Sequence, residues 1–253
     1  MTLTPLQTKT QHGNTQGQHP ISLNADLRYP ASTKSSDLCW TLSPQMGVER
    51  KMLERDGGEY VKRATTIVRY APGSKFHVHT HDGGEEFLVL DGTFSDESGD
   101  YPKGWYVRNP IGSHHAPFSQ NGCTIFVKLG QFHRFDRKPV HIDTSCANAD
   151  WQTGSGQIKS LRLHKSPYEN VALVCWPKGL KLEPTRFVGG LEIFVLSGRF
   201  VDEFGDHKTG DWLRIPAGHT HRPRAIEKTK LYVKTGHLPA STKGQNPALS
   251  GKS

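Results

Sequence analysis

The sequence contains one segment that occurs twice. The stretch beginning at Gly73 aligns without a gap on the stretch beginning at Gly179, so that each residue corresponds to the one 106 positions later. The paired positions include Gly84/Gly190, Gly92/Gly198, Gly104/Gly210, Gly112/Gly218, Pro110/Pro216 and His115/His221. A register kept over so many positions means that the fold itself is repeated.

Each copy has the pattern of short β-strands separated by turns. Apolar or β-branched runs cover 65–70, 86–90 and 123–129, and the turn sequences PGS, DGT, SGD and PIGS lie between such runs. Helical periodicity is nearly absent. At 253 residues the chain is long enough for two cores. We therefore expect an all-β protein made of two tandem jelly-roll barrels.

The composition divides the chain into five parts. The N-terminal stretch is rich in Gln, Thr, His and Asn and has few large apolar residues, which favours a flexible or loosely docked arm. The C-terminal stretch has the same character. We expect an arm over 1–36, a first domain over 37–135, a connector over 136–156, a second domain over 157–237 and a flexible tail over 238–253.

Charge and hydropathy restrict the partners. The formal net charge is +8, but six of these charges lie in 1–36, 134–140 and 238–253, none of which has the pattern of a groove-binding motif. We therefore expect no nucleic-acid partner. No apolar run is long enough for a membrane span and the N-terminus is polar, so we expect no membrane association and a cytoplasmic location. The four cysteines form no CxxC pair.

A cluster of residues that can bind metals lies in the first copy. His77, His79 and His81 alternate along the chain, so that a strand would turn all three imidazoles to one face. Glu85 follows after a two-glycine turn that lets the chain fold back, and His115 follows a second turn. Three imidazoles and a carboxylate suit Fe(II), Mn(II), Zn(II), Ni(II) or Co(II), and the residue types alone do not choose between them.

The spacing of these residues resembles the two motifs of the cupin superfamily. The first motif is filled by Gly73, His79, His81, Glu85 and Gly92, and the second by Gly104, Pro110, Gly112 and His115. The resemblance implies two cupin barrels, each a double-stranded β-helix. It also implies that His79, His81, Glu85 and His115 bind one divalent metal ion per chain, with iron first and zinc, manganese or nickel as alternatives, and that His77 and His114 stand outside this set.

In its details, the sequence of residues 37–135 resembles the ChrR-like branch of cupins. The sequence of residues 157–237 resembles that branch more weakly. That branch is named for an anti-sigma factor whose N-terminal helical zinc domain binds the sigma factor. This sequence shows no His/Cys motif for such a domain, so we do not expect sigma binding.

Two further residues are weaker candidates for the site. His77 could be a base or pocket residue beside the ligands, or a surface histidine at the start of a strand. Arg108 recurs as Arg214, which favours a partner of acidic turn residues at the barrel end, with binding of a substrate anion as the alternative. Glu86 recurs as Glu192 in the copy without the ligand set, which indicates a structural role.

The second copy lacks the ligand set. His79, His81 and Glu85 correspond to Thr185, Phe187 and Leu191, and only His115 is kept, as His221. We expect this barrel to be structural, since one imidazole does not hold a metal and the replacements are mostly apolar. The alternative is a small organic ligand in the emptied barrel, with Glu192 and His221 as polar contacts.

Two classes of function fit these observations. Resemblance to cupin oxygenases implies a mononuclear Fe(II) dioxygenase that acts on a small diketone or hydroxyketone. Resemblance to the anti-sigma branch implies a metal or oxidant sensor, or a ligand-binding regulatory module, without catalysis. A sugar-isomerase or storage-type cupin is a third interpretation. The sequence is equally compatible with a monomer and a homodimer.

Overall fold

A computed structural model describes residues 21–58 and 60–240, and it confirms the all-β double barrel. The strands up to the end of the connector's first half are β1 (Ile21–Leu23), β2 (Ala31–Thr33), β3 (Thr41–Leu42), β4 (Val48–Gly57), β5 (Val61–Tyr70), β6 (Ser74–Lys75), β7 (His79–Thr80), β8 (Glu85–Asp96), β9 (Gly99–Pro102), β10 (Trp105–Asn109), β11 (His114–His115), β12 (Phe118–Ser119), β13 (Cys123–Leu129) and β14 (Val140–Asp143).

The remaining strands are β15 (Trp151–Thr153), β16 (Lys159–Lys165), β17 (Asn170–Trp176), β18 (Thr185–Arg186), β19 (Leu191–Ser197), β20 (Arg199–Asp202), β21 (Gly205–Lys208), β22 (Trp212–Ile215), β23 (Thr220–His221), β24 (Arg224–Ala225) and β25 (Thr229–Thr235). Two single 3₁₀ turns, Ser35–Asp37 and Ser155–Gln157, are the helical elements of the described residues. No helix within these residues is long and apolar enough to cross a membrane.

The two barrels have the same sheet topology. In the first, the main sheet runs β1-β4-β5-β13-β8-β10-β14, and in the second it runs β15-β16-β17-β25-β19-β22-β2, with neighbouring strands antiparallel. Alternate residues of each strand face the barrel interior or the other barrel. The interior of the first barrel is lined by Val48, Tyr70, Phe87, Val89, Ile125 and Val127, which form one buried cluster.

The barrels exchange one strand each. β2 precedes the first barrel in the sequence but pairs with β22 at the edge of the second, in the register Ser32↔Leu213. β14 precedes the second barrel in the sequence but pairs with β10 at the edge of the first, in the register Tyr106↔Ile142. Each exchanged strand covers an edge that would otherwise present unpaired backbone groups.

The pairing of these and two other short strands corrects two of the expected domain boundaries. The sequence favoured a loose arm over 1–36, but β1 and β2 lie within 21–36 and both pair with barrel strands, β1 with β4. The expected connector over 136–156 likewise contains β14 and β15, each paired with a barrel edge. These strands are only three or four residues long, and their pairing with distant partners leaves no clear local pattern. Residues 1–20 and 241–253, where the rest of the expected arm and most of the expected tail fall, lie outside the described part.

An apolar layer joins the barrels. Phe126 stacks on Phe194 with their ring centroids 4.3 Å apart, and Tyr232 meets Phe126 edge-on at 5.2 Å. Leu88, Tyr106, Leu173 and Trp212 belong to the same buried cluster, to which both barrels contribute. The outer faces of the two sheets are therefore the core of the contact between the domains.

Charged residues are buried within this layer. Lys128 Nζ lies 2.5 Å from Glu192 Oε1, and Lys234 Nζ lies 2.5 Å from Glu86 Oε1. The two pairs correspond to each other through the repeat, and all four side chains are inaccessible to solvent or nearly so. Glu86 therefore has a structural role, as the sequence indicated, because its ion pair with Lys234 joins one barrel to the other.

Candidate metal centre

Three of the expected ligand imidazoles meet in the first barrel. β7 pairs with β11 so that His79 lies directly opposite His115, and His81 follows β7 by one residue. Ring nitrogens of His79, His81 and His115 all lie within 4.8 Å of one another. His81 and His115 are buried, whereas His79 is partly open to solvent.

A tight glycine turn brings the carboxylate of Glu85 to the same point. Glu85 Oε2 lies 3.4 Å from His81 Nε2 and 3.5 Å from His115 Nε2. Gly84 has φ +78, and a Cβ at this position would lie 2.4 Å from the ring of Phe132. A side chain here would therefore be strained in its backbone and in its packing, which explains why the turn needs glycine.

Neighbouring acceptors orient two of the imidazoles. His79 Nδ1 lies 3.0 Å from the carbonyl oxygen of His77, and His115 Nδ1 lies 3.1 Å from Asp96 Oδ2. Because a carbonyl oxygen only accepts, His79 Nδ1 carries the proton, and its Nε2 is left with a lone pair. The contact of His115 with a carboxylate has the same effect, which is the arrangement expected of metal-binding histidines.

The environment changes the proton affinity of these groups. Burial lowers the pKa of His81, and the nearby charge of Glu85 offsets this effect only in part. Burial also lowers the pKa of His115, but the hydrogen bond to Asp96 and the charge of Glu85 outweigh it and leave that pKa raised. Hydrogen bonds from His115 and the Ser98 backbone outweigh the effect of burial on Asp96 and lower its pKa.

The donor set fits a divalent transition metal. His81 Nε2 and His115 Nε2 face each other at 3.0 Å. Two nitrogens that each lie about 2.1 Å from one ion at roughly a right angle are about 3 Å apart. The distances from the Glu85 oxygen to the same two nitrogens are compatible with this oxygen binding that ion as a third ligand. Three nitrogen donors and one oxygen donor are compatible with Fe, Mn, Ni or Zn.

Asp96 and Asn109 are site residues that sequence reasoning did not identify. Asn109 Nδ2 donates to Glu85 Oε2 at 3.0 Å from the paired position on β10. The sequence contains a signal for both, since Glu85 and Asn109 are replaced together by Leu191 and Ile215, whereas Asp96 and His115 are kept together.

The weaker candidates lie elsewhere. The imidazole of His77 is exposed, and only its backbone carbonyl contacts the cluster. His114 is exposed as well. Arg108 is fully buried between the barrels, where it pairs with Glu86, Asp136 and Glu169 rather than with acidic residues of a turn at the barrel end. It does not line the cavity beside the histidines.

A second group of potential ligands lies in this same layer. Asp136, His164 and Glu169 are all buried and have donor atoms within 4.8 Å of one another. Arg108 Nη1 lies 2.6 Å from Glu169 Oε1, and Arg108 Nη2 lies 3.1 Å from Asp136 Oδ2. The guanidinium already supplies the positive charge that a metal would bring, so the group is an ion-pair network.

A cavity of about 490 Å³ opens beside the histidine cluster. His79, His81 and Glu85 form one part of its wall, and the apolar residues Val48, Val68, Phe76, Ile125, Val127 and Leu129 form another. Tyr70 also lines it, and burial followed by the charge of Glu85 raises the pKa of this phenol well above its usual value. The size is that of cavities that bind small organic molecules.

The second barrel has a different centre. Thr185 is exposed, Leu191 is buried in the core, and His221 Nε2 lies 2.8 Å from Asp202 Oδ2. His207 contacts the other oxygen of the same carboxylate at 2.8 Å, and both hydrogen bonds help to lower the pKa of Asp202 against its burial. The alternative of a ligand held by Glu192 and His221 together is wrong, because Glu192 faces the other barrel.

Comparisons with known proteins agree with this architecture. A sequence profile described as the ChrR cupin-like domain matches the chain twice, over residues 29–133 and 139–239. No curated protein matches the sequence.

Several solved structures share the fold. A candidate dioxygenase from Nostoc punctiforme has a TM-score of 0.66 at 12% identity, with 86% of this chain and 88% of that chain covered. The pirin YhhW of Escherichia coli, solved in complex with nickel(II), has a TM-score of 0.60 at 15% identity, with 84% and 100% covered. A deletion mutant of Bacillus subtilis oxalate decarboxylase has a TM-score of 0.57 at 14% identity, with 82% and 77% covered.

Proposed function

The chain belongs to the family of the ChrR cupin-like domain, and on that premise we propose that its first barrel binds one divalent transition metal ion through His79, His81, Glu85 and His115. The observation that supports this proposal is the convergence of the three imidazoles within 4.8 Å, with the Glu85 oxygen 3.4–3.5 Å from two of their nitrogens. In this proposal the second barrel contributes no metal ligand, and its role is to pack against the first barrel.

We propose further that the centre is catalytic and that the protein is an Fe(II)-dependent dioxygenase of small diketones or hydroxyketones. Two features support catalysis. The cavity reaches His79, His81 and Glu85 directly, so a small molecule can approach the ligand set. Four protein ligands also leave room for further ones around a five- or six-coordinate ion. When bound, the ion would supply Lewis-acid and redox chemistry beside the substrate.

The residues of the chain have separate tasks in this scheme. Asp96 and the His77 carbonyl hold His115 and His79 with their Nε2 atoms toward the centre. Asn109 keeps Glu85 in position through its hydrogen bond. The apolar wall excludes water from the bound substrate, and the Tyr70 phenol, held protonated by its raised pKa, is available as a hydrogen-bond donor in the cavity.

The test begins with metal analysis of protein purified without added metal. Protein reconstituted with Fe(II) is then screened in an oxygen electrode with β-diketones and hydroxyacetophenones. We expect oxygen uptake that depends on both iron and substrate and is abolished in His79→Ala. The control His221→Ala, at the position of the second barrel that corresponds to His115, should retain it. Tight iron binding without uptake on any substrate would remove the oxygenase and leave the metal centre.

The family match favours a second candidate, a metal or oxidant sensor without turnover. In that case the metal-loaded and metal-free proteins should differ in conformation. Hydrogen exchange of the two forms, with and without peroxide, distinguishes the candidates. A sensor should show metal- or oxidant-dependent protection beyond the first barrel, whereas an enzyme should show changes confined to the cavity.

A further inference from the structure

Tyr70 carries a buried hydroxyl group for which the described residues offer no hydrogen-bond partner. The residue is 6% exposed, lies opposite Val48 on β4 and follows Val68 by two positions on β5, and all three line the cavity. In contrast, the buried tyrosine Tyr106 donates its hydroxyl to Glu86 at 2.6 Å. A buried hydroxyl without an acceptor lowers stability, so the Tyr70 hydroxyl is suited to an acceptor that enters the cavity.

Two phenylalanine rings fix the phenol beside the candidate metal centre. Phe76 packs against both Tyr70 and His79, with its ring centroid 5.7 Å from each. Phe94 packs against Tyr70 at 5.7 Å and against His115 at 5.9 Å. One aromatic ring therefore separates Tyr70 from each of two expected metal ligands. A molecule that reaches the ligand set through the cavity also comes near the phenol.

The fold needs an aromatic ring at this position but not a hydroxyl group. In the second barrel the same register position of β17 holds Trp176. Trp176 is also 6% exposed and meets Phe200 edge-on at 5.4 Å, as Tyr70 meets Phe94 edge-on at 5.7 Å. The ring thus packs in the same way in both barrels, whereas the hydroxyl group at this position occurs only in the barrel with the ligand set.

The surroundings of Tyr70 favour a substrate with a polar end and an apolar body. Burial and then the charge of Glu85 raise the pKa of the phenol, so its hydroxyl is protonated at neutral pH and donates. The side chains packed around it that line the cavity are apolar: Val48, Val68, Phe76, Ile125 and Val127. These side chains form no hydrogen bonds, so they suit the apolar part of a ligand.

We propose that Tyr70 donates a hydrogen bond to an oxygen atom of the substrate, and that the substrate is an enolisable β-diketone with an apolar or aromatic body, held as its enolate. An enolate shares its negative charge between two oxygens, both of which accept hydrogen bonds and neither of which needs an acceptor. Its proton is released to the solvent. The inference rests on the metal centre proposed above and names the form of its substrate.

Two probes with the same phenyl group separate this hydrogen bond from metal binding. Benzoylacetone is a β-diketone and offers two oxygens. N-phenylimidazole binds a metal through its one free nitrogen and then has no atom left that accepts a hydrogen bond. Each probe is titrated into the full-length, Co(II)-loaded protein, and the visible cobalt spectrum reports binding at the centre.

Tyr70→Phe removes the hydroxyl group and keeps the ring. We expect it to reduce the affinity for benzoylacetone about tenfold, as for a hydrogen bond to a charged acceptor, and to leave that for N-phenylimidazole within about twofold. Retained binding of N-phenylimidazole also shows that the variant is folded and loaded with metal. The matched control is Tyr232→Phe, because the Tyr232 hydroxyl is buried in the layer between the barrels and also has no partner in the described part of the chain. It should change neither affinity.

The pH dependence of binding tests the enolate. Because the proton is lost on binding, benzoylacetone should bind more tightly as the pH rises, whereas N-phenylimidazole has no such proton to lose. In Tyr70→Phe the pH of half-maximal benzoylacetone binding should rise by about one unit, which corresponds to the tenfold loss of affinity. A change in packing alone would not shift this midpoint for one probe and spare the other.

The outcomes separate this inference from the proposed function. Cobalt bound at one ion per chain, with unchanged affinity of Tyr70→Phe for benzoylacetone, would overturn the hydrogen bond and leave the metal centre standing. Equal losses for both probes would also overturn it, because the effect would then be one of packing. Absence of cobalt binding in the unmodified protein would overturn the metal centre and this inference together.

Discussion

Glu86 offers a quantitative test of the charges buried between the barrels. Its carboxylate accepts a hydrogen bond from Tyr106 Oη at 2.6 Å, lies 2.5 Å from Lys234 Nζ and lies 3.3 Å from Arg108 Nη1. It is 1% exposed. Glu86→Gln keeps the shape of the side chain and removes its charge, so Lys234 and Arg108 remain buried and share only Glu169 and Asp136.

The magnitude follows from the pKa of Glu86. Burial alone would raise it, but Lys234 and then Arg108 outweigh burial and lower the pKa from 4.5 to about 2. That difference corresponds to about 3 kcal/mol of stabilisation at neutral pH. A similar loss is typical when one partner of a buried pair is removed. Because the folded pKa is the lower one, this contribution is complete above about pH 4.5 and is lost as the pH falls toward 2.

The assay is urea unfolding followed by tryptophan fluorescence at pH 7 and at several values down to pH 3. We expect Glu86→Gln to lose about 3 kcal/mol at pH 7 and to depend less on pH below 4.5 than the unmodified protein. Asp91→Asn is the control, since Asp91 belongs to an exposed pair with Lys103 at 3.6 Å and should cost less than about 0.5 kcal/mol. A loss below 1 kcal/mol for Glu86→Gln, with an unchanged slope in urea, would refute the reasoning.

Three further predictions concern the metal and the interface. Elemental analysis should find one transition-metal ion per chain, and two tightly bound ions would contradict the assignment of a single centre. Asp96→Asn should weaken metal affinity about 10- to 100-fold in a competition titration, because Asp96 orients His115, whereas Asp202→Asn should leave it unchanged. Phe126→Ala should lower the free energy of unfolding in urea by about 3–5 kcal/mol, because it removes the ring stacked on Phe194. Phe135→Ala is the control at an exposed site. Equal effects of the two substitutions would count against the apolar layer as the main contact between the barrels.

Local patterns carried much of the fold and part of the candidate site. Turn residues and runs of apolar or β-branched residues predicted the strands that became β5, β8 and β13, because such runs and turns are properties of neighbouring residues. The repeat predicted two barrels for the same reason, since each copy has the same sequence of turns. The structure then brings His79, His81, Glu85 and His115 to one point, and the two motifs had already placed these residues at fixed spacings.

The sequence did not reveal what each recurring charge contacts. Glu86, Arg108 and their repeat partners were visible as conserved between the copies, but their ion pairs join residues more than twenty positions apart, and the pairs of Glu86 with Lys234 and of Lys128 with Glu192 join different barrels.

The exchange of β2 and β14 was decided by tertiary structure alone. Each strand has three or four residues, too few to show a period, and each pairs with the edge of one barrel although the strands that follow it in the sequence belong mainly to the other. Strand order within a barrel follows from the chain's own turns, whereas the choice of a partner edge depends on how the two barrels pack. The sequence by itself therefore determined the two barrels and the residues that can meet within the first, and only the packed pair determined which segments complete each sheet and which buried charges join them.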